Sequence, residues 1–325
     1  MIEAEQPPSY ADVEAAATRL HQVVRRTPLL ESDVLNEMAG GRLLLKAESL
    51  QRTGSFKLRG AYNTISQLER QPVVAYSSGN HAQGVAAAAK FLGVPATIVM
   101  PADAPAIKLA STEAWGATVQ LYDRQRENRE KIGAELAART GAALVKPYDD
   151  PRIIAGQGTV GLELAEQAKE MGATPDVALV PCGGGGLVAG CGMALKHAFP
   201  EIDMLAVEPE GFDDTARSLA AGERVSNAPG PNSICDALLA PTPGELTFAL
   251  NRRQLTGGIA VSDAAVERAM ALAFRHLKLV VEPGGAVALA AALDGQVPTR
   301  DRTVVVVLSG GNVDPGLFAR IIASA

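Results

Sequence analysis

Short apolar runs alternate along the chain with longer alanine-rich segments. The apolar runs are rich in β-branched residues and are typical of strands buried in a parallel sheet; they are 72–75, 96–100, 177–180 and 304–307. The alanine-rich segments have the length of helices and include 82–91, 124–139 and 264–277. Strands that alternate with helices of this size predict an α/β protein with open, mostly parallel twisted sheets and flanking helices.

The order of these elements predicts two domains. Residues 73–148 contain a series of strand–helix alternations, and a second series begins after Asp149. A helical opening at 10–24 and a strand at 42–47 precede the first series and are expected to complete the sheet of the second. We therefore expect a large discontinuous domain, residues 1–72 and 149–325, with a small domain, 73–148, inserted in it.

Composition and charge narrow the class of partner. The 325 residues carry a net charge of −6, and 4% of them are aromatic. Nucleic-acid binding needs a basic surface to neutralise phosphates and aromatic side chains for base stacking. Because both are scarce, nucleic acid is not expected as a partner.

The cysteines and the amino terminus indicate the compartment. Cys182, Cys191 and Cys235 form neither an even disulfide set nor a C-x-x-C pair, which favours a reducing environment. The first eight residues are acidic and lack the order of a signal peptide. No apolar run approaches the ~20 residues that a membrane span needs. We expect a soluble, cytoplasmic protein without a membrane partner.

Four consecutive glycines, 183–186, follow a predicted buried strand and open a predicted helix. Without Cβ atoms the backbone can curl its N–H groups around an anion at a helix amino terminus, so this loop predicts a phosphate site. A dinucleotide is one possible carrier, since 184–189 fits GxGxxA and Glu208 follows about twenty residues later. No GK[ST] sequence follows, which excludes a P-loop.

Three further segments carry candidate chemistry. Lys57 lies at the start of a predicted helix, where the helix dipole disfavours a cation and so favours a neutral, nucleophilic amine. Ser77, Ser78 and Asn80 offer donors for a carboxylate at another helix start. Ser309 ends a very hydrophobic strand, at the edge where open α/β sheets bind ligands.

Together these segments resemble the fold-type-II pyridoxal-phosphate (PLP) enzymes, specifically the serine/threonine dehydratase and serine racemase branch. The resemblance lies in their order and covers nearly the whole chain. The matching motifs are Ser55-Phe56-Lys57-Leu58-Arg59-Gly60, Ser78-Gly79-Asn80-His81, the tetraglycine 183–186, Glu282-Pro283-Gly284-Gly285 and Ser309-Gly310-Gly311-Asn312. The implied fold, similar to that of the tryptophan synthase β chain, has a smaller domain inserted in a larger one.

The resemblance implies a set of cofactor contacts. Lys57 would be the Schiff-base lysine and then the base that removes the α-proton. Asn80 would bind the phenolic oxygen of PLP, and Ser309 would face the pyridine nitrogen. A hydroxyl there leaves that nitrogen largely neutral, which favours β-elimination over other reactions. The full set of implied cofactor residues is Phe56, Lys57, Asn80, Gly183, Gly184, Gly185, Gly186, Glu282 and Ser309.

The substrate residues implied by the resemblance are Ser77, Ser78, Asn80, His81 and Ser233. Ser78 has two possible roles: in racemases of this branch a serine at this position exchanges a proton opposite the lysine, but it can also only position the carboxylate. Ser233 and Asp236 fall in the segment expected near the β-substituent. Nothing in that segment distinguishes threonine, serine and 3-hydroxyaspartate.

An acidic segment resembles the divalent-cation site of the same branch. Glu208, the carbonyl of Phe212 and Asp214 would supply oxygen ligands for Mg²⁺, Ca²⁺ or Mn²⁺. The alternative interpretation is a solvated acidic helix start, since aspartates also suit a first turn. A bound metal would have a structural or activating role.

We therefore predict a PLP-dependent ammonia-lyase that dehydrates and deaminates L-threonine and/or L-serine to the 2-oxo acid and ammonia. Three alternatives stay open within the branch or nearby: a serine or aspartate-type racemase with side dehydratase activity, a 3-hydroxyaspartate dehydratase, and a non-catalytic PLP or amino-acid binder. A fourth alternative, with a different cofactor and reaction, is a nicotinamide oxidoreductase that uses the glycine loop. Relatives of this kind imply a homodimer or homotetramer.

Overall fold

The structure, a computed structural model, describes residues 6–324. Residues 1–5 and 325 lie outside this range, and with them most of the acidic amino terminus. The strands of the described chain are β1 (Leu29–Leu30), β2 (Arg42–Ala47), β3 (Val73–Tyr76), β4 (Ala96–Pro101), β5 (Thr118–Tyr122), β6 (Ala143–Leu144), β7 (Val177–Pro181), β8 (Asp203–Pro209), β9 (Gly257–Val261) and β10 (Thr303–Leu308).

Helices separate most of these strands. They are α1 (Tyr10–Leu20), α2 (Asp33–Ala39), α3 (Lys57–Ile65), α4 (Asn80–Leu92), α5 (Ala106–Ala114), α6 (Arg129–Thr140), α7 (Pro151–Glu170), α8 (Gly186–Ala198), α9 (Asp214–Ala221), α10 (Glu245–Gln254), α11 (Asp263–Leu272), α12 (Pro283–Leu293) and α13 (Pro315–Ser324). Within residues 6–324, none of these helices combines the length and the apolar character that crossing a bilayer requires.

The strands form two sheets, as the alternation of elements predicts. One sheet has six strands in the order β1-β2-β10-β7-β8-β9, and the other has four in the order β5-β4-β3-β6. Neighbouring strands run parallel, except that β1 is antiparallel to β2. The predicted α/β class with two mostly parallel sheets is therefore confirmed. The boundaries of the two domains stay a prediction.

The strand β10 shows why its sequence is an unbroken apolar run. Val304 and Val306 pack in the cluster formed with α11 and α12, whereas Val305 and Val307 pack in the cluster formed with α7 and α8. Successive side chains of a strand point to opposite faces, so a strand covered by helices on both sides needs apolar residues at every position. All four valines are fully buried.

Two helices of the structure begin or end at residues other than those that the sequence predicts. The expected helix 124–139 begins only at Arg129, because the side chain of Asn128 caps it by accepting from the backbone N–H groups of Glu130 and Lys131. The expected helix 264–277 runs as α11 and then as one π-helical turn, Ala273–Leu277. It ends where Lys278 takes a left-handed conformation with φ of 58°.

A group of charges, buried except for a partly exposed Glu163, fixes the start of α3 against α7. We call Lys46, Glu48, Arg59 and Glu163 the Arg59 cluster. Arg59 donates to both oxygens of Glu48 at 2.8 and 2.9 Å and to both oxygens of Glu163 at 2.7 and 2.9 Å. Lys46 completes the cluster by donating to Glu163 at 2.7 Å. Because Arg59 lies two residues after Lys57, this cluster anchors the helix turn that carries the lysine.

Candidate active site

A single cavity collects nearly all of the predicted catalytic, cofactor and substrate residues. It lies beyond the carboxyl ends of β3, β7 and β10, the edge where parallel sheets bind ligands. Its walls include Phe56, Lys57, Ser77, Ser78, Asn80, His81, Gly183, Gly184, Gly185, Gly186, Glu282 and Ser309. The structure therefore brings together residues that are up to about 250 positions apart in the sequence.

Lys57 is the first residue of α3, and its ammonium group reaches into the cavity. The Nζ atom donates a hydrogen bond to the carbonyl oxygen of Pro147 at 2.8 Å. Burial disfavours the charged amine and lowers the pKa of Lys57 to about 8. A substantial fraction of this lysine is therefore neutral and nucleophilic at mildly alkaline pH.

The tetraglycine loop connects β7 to α8 and is held from outside the cavity by α10. Thr247 donates its hydroxyl to the carbonyl of Gly184 at 2.7 Å, and Asn251 donates to the carbonyl of Gly185 at 3.3 Å. Gly185 has a φ of 90°, which disfavours residues with a Cβ. A Cβ at Gly184 would lie 2.3 Å from the ring of Tyr148. Glycine is thus required here, and the loop leads into the positive end of α8.

The loop between β3 and α4 presents polar groups to the same cavity. Ser77 accepts a hydrogen bond from the backbone N–H of Gly79 at 3.2 Å, which shapes the turn. Asn80 begins α4, and its Nδ2 donates to Oε1 of Glu282 at 2.5 Å. Burial raises the pKa of Glu282 to about 7. Ser78 also lines the cavity, so Lys57 and Ser78 share one chamber.

His81 is held as a neutral imidazole. Its Nε2 lies 3.0 Å from the carbonyl oxygen of Val145 and must be the protonated nitrogen to form that bond. Burial first, and then the charge of Lys57, lower the pKa of His81 to about 3. The other nitrogen, Nδ1, is buried and has no hydrogen-bond partner within the described part of the chain. His81 therefore contributes a neutral ring to the cavity wall, with its unpartnered nitrogen shielded from solvent.

Ser309 follows β10 and lies against the start of α3. Its carbonyl accepts from the backbone N–H of Phe56 at 3.2 Å, and the neighbouring Ser55 and Gly310 form an isolated antiparallel bridge. A Cβ at Gly310 would lie 2.2 Å from the carboxylate of Glu282. This packing explains why glycine follows Ser309, and it holds the hydroxyl of Ser309 at the cavity wall.

Ser233 is the one predicted substrate residue that the structure places elsewhere. Its hydroxyl donates to Oδ1 of Asp263 at 2.6 Å, and it is absent from the described residues that line the cavity. Its neighbour Asp236 does line the cavity and forms an ion pair with Lys108 of α5.

Lys108 and Arg129, which sequence reasoning missed, are cations in the cavity wall alongside Lys57. Each lies in a segment without a distinctive motif, so the sequence carried no signal for them.

The predicted metal residues lie outside this cavity, at the end of β8. Glu208 is fully buried and accepts from the backbone N–H groups of Thr215 and Ala216, each at 2.9 Å. Asp214 accepts from Asn227 through Oδ1 at 2.6 Å, whereas its Oδ2 is buried without a described partner. We call Glu208 and Asp214 the carboxylate pair.

Two negative charges that lie close together and are buried away from water are poorly stabilised. Burial, reinforced by the charge of Asp214, raises the pKa of Glu208 to about 8, and burial raises the pKa of Asp214 to about 6. Among the described residues no set of three His, Cys, Asp or Glu side chains is arranged to hold a metal. Any cation here would therefore need backbone carbonyl or water ligands, such as the predicted carbonyl of Phe212.

Comparisons with known proteins show which family the chain is similar to. The family described as "Pyridoxal-phosphate dependent enzyme" matches residues 20–310. An L-threo-3-hydroxyaspartate ammonia-lyase from Saccharomyces cerevisiae is 42% identical over 97% of this chain and 97% of its own. A crystal structure of a threonine deaminase from T.th. is 47% identical, with a TM-score of 0.90 over 94% of this chain and 99% of that one. Maize serine racemase is 39% identical, with a TM-score of 0.91 over 98% of both chains.

Proposed function

The chain belongs to the pyridoxal-phosphate-dependent enzyme family and is an enzyme of the lyase class, and from this premise we propose that it converts L-threonine and/or L-serine to the 2-oxo acid and ammonia. The observation that supports the proposal is the single cavity. Lys57, the tetraglycine loop, Asn80 and Ser309 reach it from four separate parts of the chain. A dinucleotide site would require neither the lysine nor the serine.

The cavity fits the cofactor of the family. The glycine loop has backbone N–H groups at a helix start and no Cβ atoms, as a phosphate group requires. Lys57 has an amine with a lowered pKa. Asn80 and Ser309 line the same cavity and carry an amide and a hydroxyl. We propose that these residues hold PLP.

When bound, PLP supplies an electron sink for the charge that develops at the α-carbon of an amino acid. The chain's own residues supply the proton transfers and the orientation. Lys57, with a pKa of about 8, is the proposed base that takes the α-proton. Ser77, Ser78 and the start of α4 are the proposed carboxylate site, because a helix amino terminus favours an anion there.

A 3-hydroxyaspartate dehydratase is a second candidate, and two cations in the cavity wall favour it. Lys108 and Arg129 line the same cavity, and a second substrate carboxylate would need a cationic partner. Lys108 is already paired with Asp236, so it is only partly available to such a group. The rates with threonine, serine and 3-hydroxyaspartate therefore have to be compared to identify the preferred β-substituent.

A serine or aspartate-type racemase is the third candidate, and Ser78 is the observation in its favour. Racemisation needs a second proton-exchanging group besides the lysine. Ser78 lines the same cavity as Lys57 and is a candidate for it. An aspartate substrate would additionally use Lys108 or Arg129.

The test uses PLP-loaded protein with L-threonine, L-serine and L-threo-3-hydroxyaspartate in separate reactions. We expect release of the 2-oxo acid to outrun formation of the D-enantiomer, which chiral chromatography measures. Lys57→Ala should remove both the visible absorbance and the activity, whereas Lys90→Ala on the exposed face of α4 should retain both. Wild-type protein that takes up no PLP would overturn the proposal.

The product ratio in Ser78→Ala separates the lyase from the racemase. If Ser78 only positions the carboxylate, the rates of 2-oxo acid release and of D-enantiomer formation should decrease by the same factor. Loss of the D-enantiomer with oxo-acid release retained would instead identify Ser78 as a proton-exchanging residue.

We further propose that the carboxylate pair binds a divalent cation, Mg²⁺, Ca²⁺ or Mn²⁺. Its support is the orphaned Oδ2 of Asp214 beside a second buried carboxylate, an arrangement that a cation would stabilise. Oxygen donors of this kind suit hard cations, and the carbonyl of Phe212 is the proposed third ligand. The site lies away from Lys57, so its proposed role is to stabilise the fold around the glycine loop.

We also propose a cytoplasmic location and a homodimeric or homotetrameric assembly. The support for the first is that Cys182, Cys191 and Cys235 are all buried free thiols. The second rests on the family resemblance, and the large apolar side chains that are at least 39% exposed are candidates for an interface: Val34, Met38, Leu50, Phe91, Ile107, Leu121, Phe274 and Val280. Light scattering of the purified protein tests the assembly directly.

A further inference from the structure

Asn312 lies at the junction of three segments of the cavity. It is the fourth residue after β10 and lines the cavity together with Asn80 and Glu282. Its Nδ2 donates one hydrogen bond to the carbonyl of Thr53 at 2.8 Å and another to Oδ1 of Asn80 at 2.7 Å. A side-chain amide nitrogen carries two hydrogens, so both of its donors are used.

The contact with Thr53 determines which way the amide of Asn312 faces. The carbonyl oxygen of Thr53 belongs to the backbone and can only accept, whichever way the amide of Asn80 is turned. If the side-chain oxygen of Asn312 occupied this position, it would face that acceptor and lose the bond. The nitrogen is therefore the only atom of the amide that satisfies this environment.

The orientation of Asn312 in turn determines that of Asn80. Because Oδ1 of Asn80 accepts from Asn312, its Nδ2 must face the opposite side, where it donates to Oε1 of Glu282 at 2.5 Å. Nδ2 of Asn80 carries a second hydrogen in addition to the one that Glu282 accepts. Reversal of the Asn80 amide would place an oxygen against the carboxylate of Glu282.

We propose that Asn312 is a positioning residue that makes Asn80 present a hydrogen-bond donor, and not an acceptor, to the phenolic oxygen of PLP. This inference rests on the proposed cofactor site. Asn312 acts through Asn80 and needs no contact of its own with the cofactor. The chain Asn312–Asn80–Glu282 then sets the charge state of that oxygen.

The surroundings of Asn312 allow little movement. Gly54 has a φ of 72°, and a Cβ there would lie 2.4 Å from Oδ1 of Asn312. The backbone N–H of Gly311 donates to the carbonyl of Gly54 at 2.8 Å, which ties this segment to the turn before Lys57. Asn312 therefore has a fixed donor direction, as a positioning residue needs.

The test is the isosteric variant Asn312→Asp, which replaces the donor by an acceptor at the same position. The new carboxylate then competes with Glu282 for the nitrogen of Asn80, so we expect the amide no longer to present a donor to the cavity in one fixed orientation. PLP should then bind about tenfold more weakly, the effect of about one lost hydrogen bond to a charged group. The pH midpoint of the visible absorbance of bound PLP should move by about one unit, because a nearby hydrogen-bond donor stabilises an anionic oxygen.

The matched control is Asn63→Asp. Asn63 is also buried and donates its amide to a backbone carbonyl, that of Arg152 at 2.7 Å, but it is not part of the cavity wall. We expect this variant to lower the melting temperature and to leave the absorbance midpoint unchanged. If Asn312→Asp does not fold, Asn312→Ala removes the donor without adding charge and should move the midpoint in the same direction.

A double-variant cycle shows whether Asn312 acts through Asn80. Asn80→Ala removes the donor itself, so adding Asn312→Asp to it should change the midpoint no further. Additive shifts, or an unchanged midpoint in Asn312→Asp, would overturn the inference. Wild-type protein without any visible absorbance after PLP addition would instead overturn the proposed function.

Discussion

The molecule buries two groups of charged side chains that differ in whether their charges balance. In the Arg59 cluster, Lys46 and Arg59 face two carboxylates. Burial alone would raise the pKa of Glu48, but the charge and hydrogen bonds of Arg59 outweigh it and hold that pKa below its usual value. In the carboxylate pair, by contrast, burial raises the pKa of Glu208 to about 8.

The pKa of a buried glutamate is therefore lowered at one place in this protein and raised at another. The difference comes from the neighbours, since Glu48 and Glu208 are both fully buried. A buried cluster whose charges balance holds helices against each other and needs no further charge from a ligand. An unbalanced one is stabilised by a ligand that supplies the missing charge, and this is the basis of the proposed cation site at the carboxylate pair.

The largest effect is expected from unbalancing the Arg59 cluster. Arg59→Met keeps most of the side-chain volume but leaves Glu48 and Glu163 without their main partner. Breaking one side of a buried ion pair costs about 3–5 kcal/mol of unfolding free energy. Urea denaturation of the cofactor-free protein measures this loss. A loss below about 1 kcal/mol would mean that the cluster is not the anchor of α3.

The second prediction supplies the charge that the carboxylate pair lacks. Mg²⁺ or Ca²⁺ at a hundred times its dissociation constant should stabilise the wild-type protein by about 2.7 kcal/mol. Glu208→Gln should abolish this increment because one of the two charges is gone. The matched control is Glu210→Gln, an exposed carboxylate in the same segment, which should retain it. An equal increment in both variants would place the cation elsewhere.

A third prediction concerns pH. The pKa of Glu208 is raised in the folded protein, from an ordinary value of 4.5 to about 8, so between these values the folded state binds more protons than the unfolded state. Stability from this group is therefore fully present below about pH 4.5 and is lost as the pH rises through 8.

The measurement is the unfolding free energy at pH 5.5 and pH 8. The wild-type protein should lose more stability over this interval than Glu208→Gln does, and divalent cation should reduce the loss. Glu48 should leave the stability over this interval unchanged, since its lowered pKa gives stability that is lost only on acidification below its ordinary value of 4.5. Identical pH profiles for wild type and Glu208→Gln would contradict the assigned pKa shift.

The smallest effect is expected where the same kind of ion pair is exposed. Arg26 donates to Glu170 at 2.6 Å, but the two side chains are 46% and 60% exposed. Solvent screens such a pair, so Arg26→Ala should change the unfolding free energy by less than about 1 kcal/mol. A change as large as that of Arg59→Met would show that burial is not what separates the two kinds of pair.

The sequence predicted the sheets and the main site segments because their signals are local. Unbroken apolar runs mark strands that are covered on both faces, and four glycines mark a loop where no Cβ fits. The two-residue antiparallel strand β1 carries no such pattern. It forms only because Leu29 and Leu30 can pair with β2, which is a tertiary contact.

Other features depended on residues far apart in the chain. Arg59 and Glu163 are 104 positions apart, and neither residue type suggests burial by itself. Ser233 was placed in a plausible segment, but its hydroxyl direction is decided by Asp263, 30 residues later. Asn312 belongs to the motif Ser309-Gly310-Gly311-Asn312, yet its proposed positioning role follows only from its bonds to Thr53 and Asn80.

The pairing of Ser55 with Gly310 has a consequence for how the enzyme is made. The turn before Lys57 is completed by a segment about 255 residues later, and β2 has β10 as one neighbour in its sheet. During synthesis the ribosome must therefore translate the chain at least as far as β10 and Gly310 before the lysine acquires its final surroundings. Nascent chains interrupted before β10 should remain unable to retain PLP, so the binding of the cofactor has to follow the synthesis of β10.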